Sequence, residues 1–434
     1  MRPAQGPARR QVRTEGTIRT APFILALAVV AGCAKVDPPA KNPAGRAPEL
    51  PNVAIGSKGV TLRASKDGER LWEVKAKEAD VRIDPKGDKA NMNGVSATLY
   101  EDGLPAMTLT ANEGTADEAT GHLTLKGAVK AVSHDGRTSL RCDRIAWTRD
   151  ERVLVAEGRV TGVTAGIEVG PADLVRARFE SKDKKMNTTT AALALVSLLA
   201  QGKVITYKDG AGNMHVTAKK FQIMREGETE NYRFVGTGPF VAKWLKQHFE
   251  VSGNKLEGVI TPVNKSYELQ HGTFTGNIEA HYRDPRGNNL MDVTGVSTWT
   301  IRRSEDGALW RYSGDGAPFV ATFSGPGAVV TGRHIEGTAD RAVGVTRPEW
   351  RTATFTGGVT TVITQDGGKT HITVTSSTVT LNRATSTAVM SGGVVASGKH
   401  AALGPEGGEF TAGKVTIVFD QAMKKVKSLT GESE

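Results

Sequence analysis

Two thiols are available to this 434-residue chain, Cys33 and Cys142. They could close one disulfide or act separately. Cys33 ends the run APFILALAVVAGC, which follows Arg9, Arg10, Arg13 and Arg19. About twelve apolar residues make a secretory h-region and are too few to span a bilayer comfortably. Cys142, in SLRCDRIAW, stands where several related stretches have Ala or Gly, so it reads as a small buried residue. Other reactive groups are not assembled. Asp117 and Glu118, or Glu226 and Glu228, fall near expected turns as solvated carboxylates, and the nine histidines never come closer than ten residues. There is no Gly-x-Ser-x-Gly elbow, phosphate-binding loop, Cys-x-x-Cys pair or His-Glu-x-x-His helix. The expectation is a non-enzyme without cofactor or resident metal.

Cys33 is the exception, because acylation is chemistry that a single thiol can undergo. Val30-Ala31-Gly32-Cys33 at the end of an h-region resembles the bacterial lipobox. That resemblance implies cleavage of residues 1–32 as a signal peptide and lipid chains on Cys33, which leaves Cys142 without a disulfide partner. AKVDPPAKNPAGRAPELPN then reads as a Pro-rich tether over 33–52, standing the folded part off a membrane. The formal charge of +10 is partly local to this leader, whose five arginines and one glutamate supply +4 and leave +6 for the rest. That mild balance has no basic run dense enough for a nucleic-acid tail.

Fifty glycines, 6% aromatic residues and Thr/Val-rich runs broken by Asp-Gly pairs require many short strands and tight turns. The strands repeat. Gly94, Gly127, Gly158, Gly202, Gly236, Gly276, Gly314, Gly357 and Gly392 recur at intervals of 31 to 44 residues, with an apolar residue two places before each and often two after. A second phrase alternates with them: LTANEG, LRCDRI, VGPADL, VTAKKF, VSGNKL, VTGRHI and FTAGKV. Asp102-Gly103, Asp135-Gly136, Asp209-Gly210 and Asp366-Gly367 separate the phrases with hairpin turns. Residues 232–258 and 310–337 share Pro-Phe-Val-Ala and a following Val-Ser/Thr-Gly phrase, offset by 78 to 79 residues. Such duplication implies an architecture that grows by stacking like units.

The expected fold is all-β: an extended twisted β-jellyroll of about ten hairpins with an apolar groove between two sheets. The expected divisions are 53–186, an apolar seam at 187–202 that satisfies either a short buried helix or a buried strand, and an extension over 203–434. Small residues on the inward face predict a slot that cannot close fully. The repeated glycine then either bends each strand through a bulge or leaves room for something to lie across it. The inward candidates for a lipid-binding groove are Leu123, Leu125, Val129, Leu154, Val160, Val204, Phe234, Phe274, Ile278, Tyr312, Phe355, Val359, Met390 and Val394.

GVTLRASKDGERLWEVKAKEADVRI and the following LTANEG…LRCDRIAWTRDERVLVAEGRVTG resemble the OstA-like LptC/LptA family of lipopolysaccharide transport, nearest LptC over about 59–180. The resemblance implies a jellyroll whose groove accepts lipid A acyl chains from an inner-membrane ABC-type extractor and passes them to other OstA-like proteins by edge-strand pairing. It places the chain in the periplasm, lipid-anchored to the inner or the outer membrane. A structural envelope lipoprotein with a filled β core is one alternative. The other is a carbohydrate-active β-helix, whose coils are shorter and carry an acidic cluster. Lys414, Lys424, Lys425 and Lys427 on the last strand either guard an open edge or meet phosphates of the cargo.

Overall fold

The computed structural model describes residues 53–433, apart from 67, 84–87, 119, 165–166, 182–192, 209–213, 246–247, 264–265, 284–288, 341–349 and 401–402. The signal peptide, Cys33, the tether, residues 187–192 of the seam and the Asp209-Gly210 turn lie outside the described residues. Asn52–Glu434 forms one compact unit. Its strands are β1 (Val53–Lys66), β2 (Glu69–Ile83), β3 (Lys89–Glu101), β4 (Leu104–Asp117), β5 (His122–Ser133), β6 (Thr138–Thr148) and β7 (Val153–Thr164). Next come β8 (Ile167–Ser181), β9 (Leu193–Lys208), β10 (Met214–Arg225), β11 (Tyr232–Trp244), β12 (Phe249–Val263), β13 (Ser266–Arg283) and β14 (Asn289–Arg303). The series ends with β15 (Leu309–Phe323), β16 (Ala328–Asp340), β17 (Trp350–Gln365), β18 (Thr370–Asn382), β19 (Thr387–His400), β20 (Gly404–Phe419) and β21 (Val426–Glu432).

Each strand pairs antiparallel with the next, making one open sheet of 21 strands. A β-helix pairs its coils in parallel, so that alternative is excluded. Residues 193–202 are strand, not helix, and β9 continues the ladder from β8 to β10. Asp102 and Gly103, at φ of 50° and 73°, form the two-residue turn between β3 and β4. Left-handed φ at both central residues matches the twist of the flanking strands.

A corner interrupts most strands midway. In β5, Lys126 faces Arg144 and Val129 faces Cys142, so β5 holds one residue more than β6 at that point. Gly127 and Ala128 absorb the excess with φ of 77° and 49°. β7 repeats the geometry with Gly158 at 74° and Arg159 at 48°. An extra residue bends and twists its strand. The second phrase supplies the complement. Its fourth residue packs against the corner glycine of the next strand, as Asn112 does at Gly127, Asp143 at Gly158 and Asn254 at Gly276. The gap left by the glycine is therefore filled by a polar side chain of the preceding strand. Three members of the glycine series depart: Gly202, Gly236 and Gly314 do not have left-handed φ. The corners of β11 and β15 lie a few residues later, at Gly238-Pro239 and Gly316 to Pro318. Proline is tolerated there because a bulge frees its nitrogen from the ladder.

These corners fold the sheet over on itself. Phe323 is level with Ile363 in the ladder, through Ala328. Trp350 lies thirteen residues from Ile363 along β17, about 43 Å if the strand were straight. Yet the Phe323 and Trp350 rings are 5.8 Å apart. Likewise Glu101 ends β3, whereas Arg152 precedes β7 at the level of Lys89, twelve residues along and four strands across, about 44 Å in a flat sheet, but they form an ion pair of 2.6 Å. The core is the space enclosed between the two halves.

Candidate functional site

Alternation along each strand sends every second side chain into the enclosed space. Thirteen of the fourteen groove candidates are buried there, none more than 8% exposed. Val204 is the exception at 59% exposed, and Ile205 takes its place at 0%. The reason is a longer bulge. Between Gln201 and Ile205, β9 holds two residues more than β10, so the inward position falls three places after the glycine instead of two.

Small inward residues do not leave a slot along the whole axis. A side chain on Gly253 would lie 2.5 Å from Ile278 Cδ1 and 2.8 Å from Phe240, and one on Gly314 would lie 2.7 Å from Trp299. These small positions are complemented by large neighbours. From β9 onward, ring pairs tie the two halves together: Tyr207 with Phe234 at 6.3 Å, Phe240 with Phe274 at 5.7 Å and Phe319 with Phe355 at 6.1 Å.

Openings remain where the free ends of the two halves approach. One apolar cleft of about 40 Å³ is bounded by Met107, Leu140, Leu154, Val160, Phe179 and Leu198, from both halves of β4 to β9. A second, of about 70 Å³, lies in the extension between Trp244, Tyr282 and Met291 on one side and Trp299, Trp310 and Trp350 on the other. Of the sequence candidates, Leu154 and Val160 meet in the first cleft and Tyr312 lines the second. The others are packed in the core between. The glycine repeat does not point to the aromatic wall, because the repeat marks the corners whereas Trp244, Trp310 and Trp350 sit at strand ends. The signal that marks them is compositional: four of the six tryptophans fall between 244 and 350.

Charge is confined to the margins. Arg152 donates from Nε and Nη2 to Glu101 Oε1 at 2.9 and 2.6 Å, and its backbone carbonyl accepts from Phe179 N, placing this bridge beside the first cleft. Glu101 is only 7% exposed while Arg152 keeps 42% of its side chain in solvent, so the pair joins the two halves through a half-buried, charge-assisted contact. At the β7 corner, the Arg159 guanidinium holds the Asp143 carboxyl below the usual carboxylate range. Among the described residues, no group of His, Cys, Asp and Glu is placed to hold a metal, and no helix is long and apolar enough to cross a membrane.

Cys142 is buried, and its Sγ donates to the Arg144 carbonyl at 3.2 Å. Burial pushes its thiol up to about 11 from 9.0. The folded value exceeds the unfolded one, so this group's contribution to stability is intact below 9 and declines as pH rises toward 11. Alkylation near pH ~8 is expected to spare Cys142 in the folded chain and to modify it in denaturant, because the thiolate is the reactive form. Peptide-resolved mass spectrometry reads the outcome, and ready labelling of the folded form would refute the buried placement.

Residues 23–166 match the family model LptC, described as lipopolysaccharide-assembly, LptC-related. The match covers about a third of the chain and contains β1 to β7. That stretch is similar to the LptC-related family of lipopolysaccharide assembly. No curated protein matches the chain.

Proposed function

We propose that this protein carries lipopolysaccharide through the cell envelope, as a periplasmic lipoprotein held to a membrane through Cys33. In this reading the folded-over sheet is a twisted β-jellyroll, and its interior takes lipid A acyl chains from an inner-membrane ABC-type extractor. The observation that carries it is the apolar cleft between the two halves of β4 to β9, most of it within the stretch that matches the family. The role is transport, not catalysis. Burying an acyl chain contributes about 0.8 kcal/mol per methylene, on the order of 10 kcal/mol for a long tail. A ligand-sized pocket holds about 300–1,000 Å³, so the 40 Å³ cleft is a resting state whose halves part to load. Partners of the same fold are met at the sheet edges. Among the described residues, β1 pairs only with β2, and β21 covers β20 only from Lys414 to Phe419. Backbone groups left open there accept an added strand.

The ring pairs across the extension favour a second reading, a structural envelope lipoprotein whose β core is filled. Photo-crosslinking in cells separates the two. A photoreactive residue at Leu154 is expected to capture lipopolysaccharide, and one at outward-facing Lys126 is expected to capture none. Absence of lipid from Leu154 would leave the filled-core lipoprotein.

A further inference from the structure

The extension lies outside the family match, yet it concentrates two features that belong together. The first is the aromatic cleft. Within it the buried Trp299, 1% exposed, carries an Nε1–H that has no acceptor in the structure. A buried donor without a partner costs stability until something accepts from it. The second is a basic row on the outer side of the same strands. Arg302 of β14 and Arg311 of β15 are register partners, and His271 of β13 is the next residue in the row. All three are exposed. Like charges placed directly opposite each other are unfavourable in a sheet, and an anion between them removes that cost.

The row lies in a depression of about 780 Å³ that also presents Ser304, Ser313 and Thr352. Acidic groups stand there too: Asp306 accepts from Ser304 Oγ at 2.6 Å and Ala308 N at 3.0 Å, and its carboxylate also feels the charge of Arg311. Glu305 and Glu336 line the depression as well, Glu336 diagonally across from Arg311 on the neighbouring strand. Ile301 and Tyr312 border both the depression and the aromatic cleft, so a single wall separates an anion site from an apolar one.

We infer that the extension is a separate docking station for an anionic amphiphile, with the tail entering at the mouth of the aromatic cleft, which widens beyond its 70 Å³ to admit it, and a phosphate head held over the rim by Arg302 and Arg311. It extends the lipid-carrying reading of the chain to a segment that the family match does not reach. Two guanidiniums at one phosphate give charge-assisted hydrogen bonds of the strongest kind, and an oxygen near the tail accepts from Trp299 Nε1.

The test is a fluorescence titration of the purified full chain with dodecyl phosphate below its micellar range, since four of six tryptophans line the cleft. A saturable change in indole emission is expected. Arg302→Gln with Arg311→Gln should weaken it about tenfold or more, while Arg302→Lys with Arg311→Lys retains part of it. Dodecyl maltoside should respond equally to wild type and both variants. Circular dichroism confirms that the variants, altered only at exposed positions, are folded. Unchanged affinity in the double Gln variant overturns the station. So does displacement of dodecyl phosphate by inorganic phosphate at equal concentration, which would reveal an anion site with no role for the tail. Lipopolysaccharide capture at Leu154 with failure of these titrations defeats the station alone. Success of the titrations with no capture at Leu154 defeats only the transport reading.

Discussion

Phe355→Ala is expected to destabilise the region from β15 to β18 by about 3–5 kcal/mol, the usual cost of emptying a buried phenylalanine site. Phe355 is fully buried, with Phe319 at 6.1 Å and Phe323 at 6.0 Å, both from the opposite half of the folded sheet. Collapse into the cavity is hindered because Phe323 is also held edge-on to Trp350. The loss should be regional. Each strand touches chiefly its neighbours, so stability resembles a sum of local terms. Hydrogen exchange checks this: opening of β15–β18 amides is expected to become easier while β5 and β6 are unaffected. Uniform loosening of the whole sheet, or no change near Phe355, would contradict an interior zipped by rings.

Gly158→Val should cost about 2–3 kcal/mol, and for a different reason. The residue has a φ of 74°, where a β-branched side chain is strained. Its Cβ would also fall 2.5 Å from Asp143 Oδ2, displacing the carboxylate that meets Arg159 at 2.6 Å. Gly103→Ala provides the contrast. Its φ is 73° but nothing lies within 4 Å of the added carbon, so only the conformational part, about 1 kcal/mol, should be lost. Urea denaturation of the two variants compares them. Equal losses would show that Asp143 yields freely and that the corner contact contributes nothing.

Both results bear on function, because the corners and the ring pairs together decide how far the halves can part. The corners act as the fold line, and the contacts between the free ends resist opening. Aliphatic side chains and the Glu101–Arg152 bridge flank the first cleft, whereas ring pairs join the halves in the second half of the chain. On the proposed transport reading, opening the region of β4 to β9 would therefore disrupt fewer large contacts than opening the extension.

Much of this was legible before any coordinates. Alternation of apolar residues marked the strands, Asp102-Gly103 marked a turn, and Gly127 and Gly158 marked places where a strand either bends or leaves room, of which the bend is what forms. These are local properties: the period of two and the left-handed φ are determined by a few neighbouring residues. Thirteen inward residues were legible for the same reason. Val204 was not, since one additional residue in the β9 bulge reverses which side chain faces in, and that count depends on β10. Nor could sequence reveal that Ile278 fills the space over Gly253, or that Trp244 and Trp299, 55 residues apart, wall one cleft. Whether small residues leave a void or receive a large neighbour is decided only when distant strands are folded against each other. Pattern thus determined the sheet and its fold lines, and packing between its halves determined where the interior is full and where it is open.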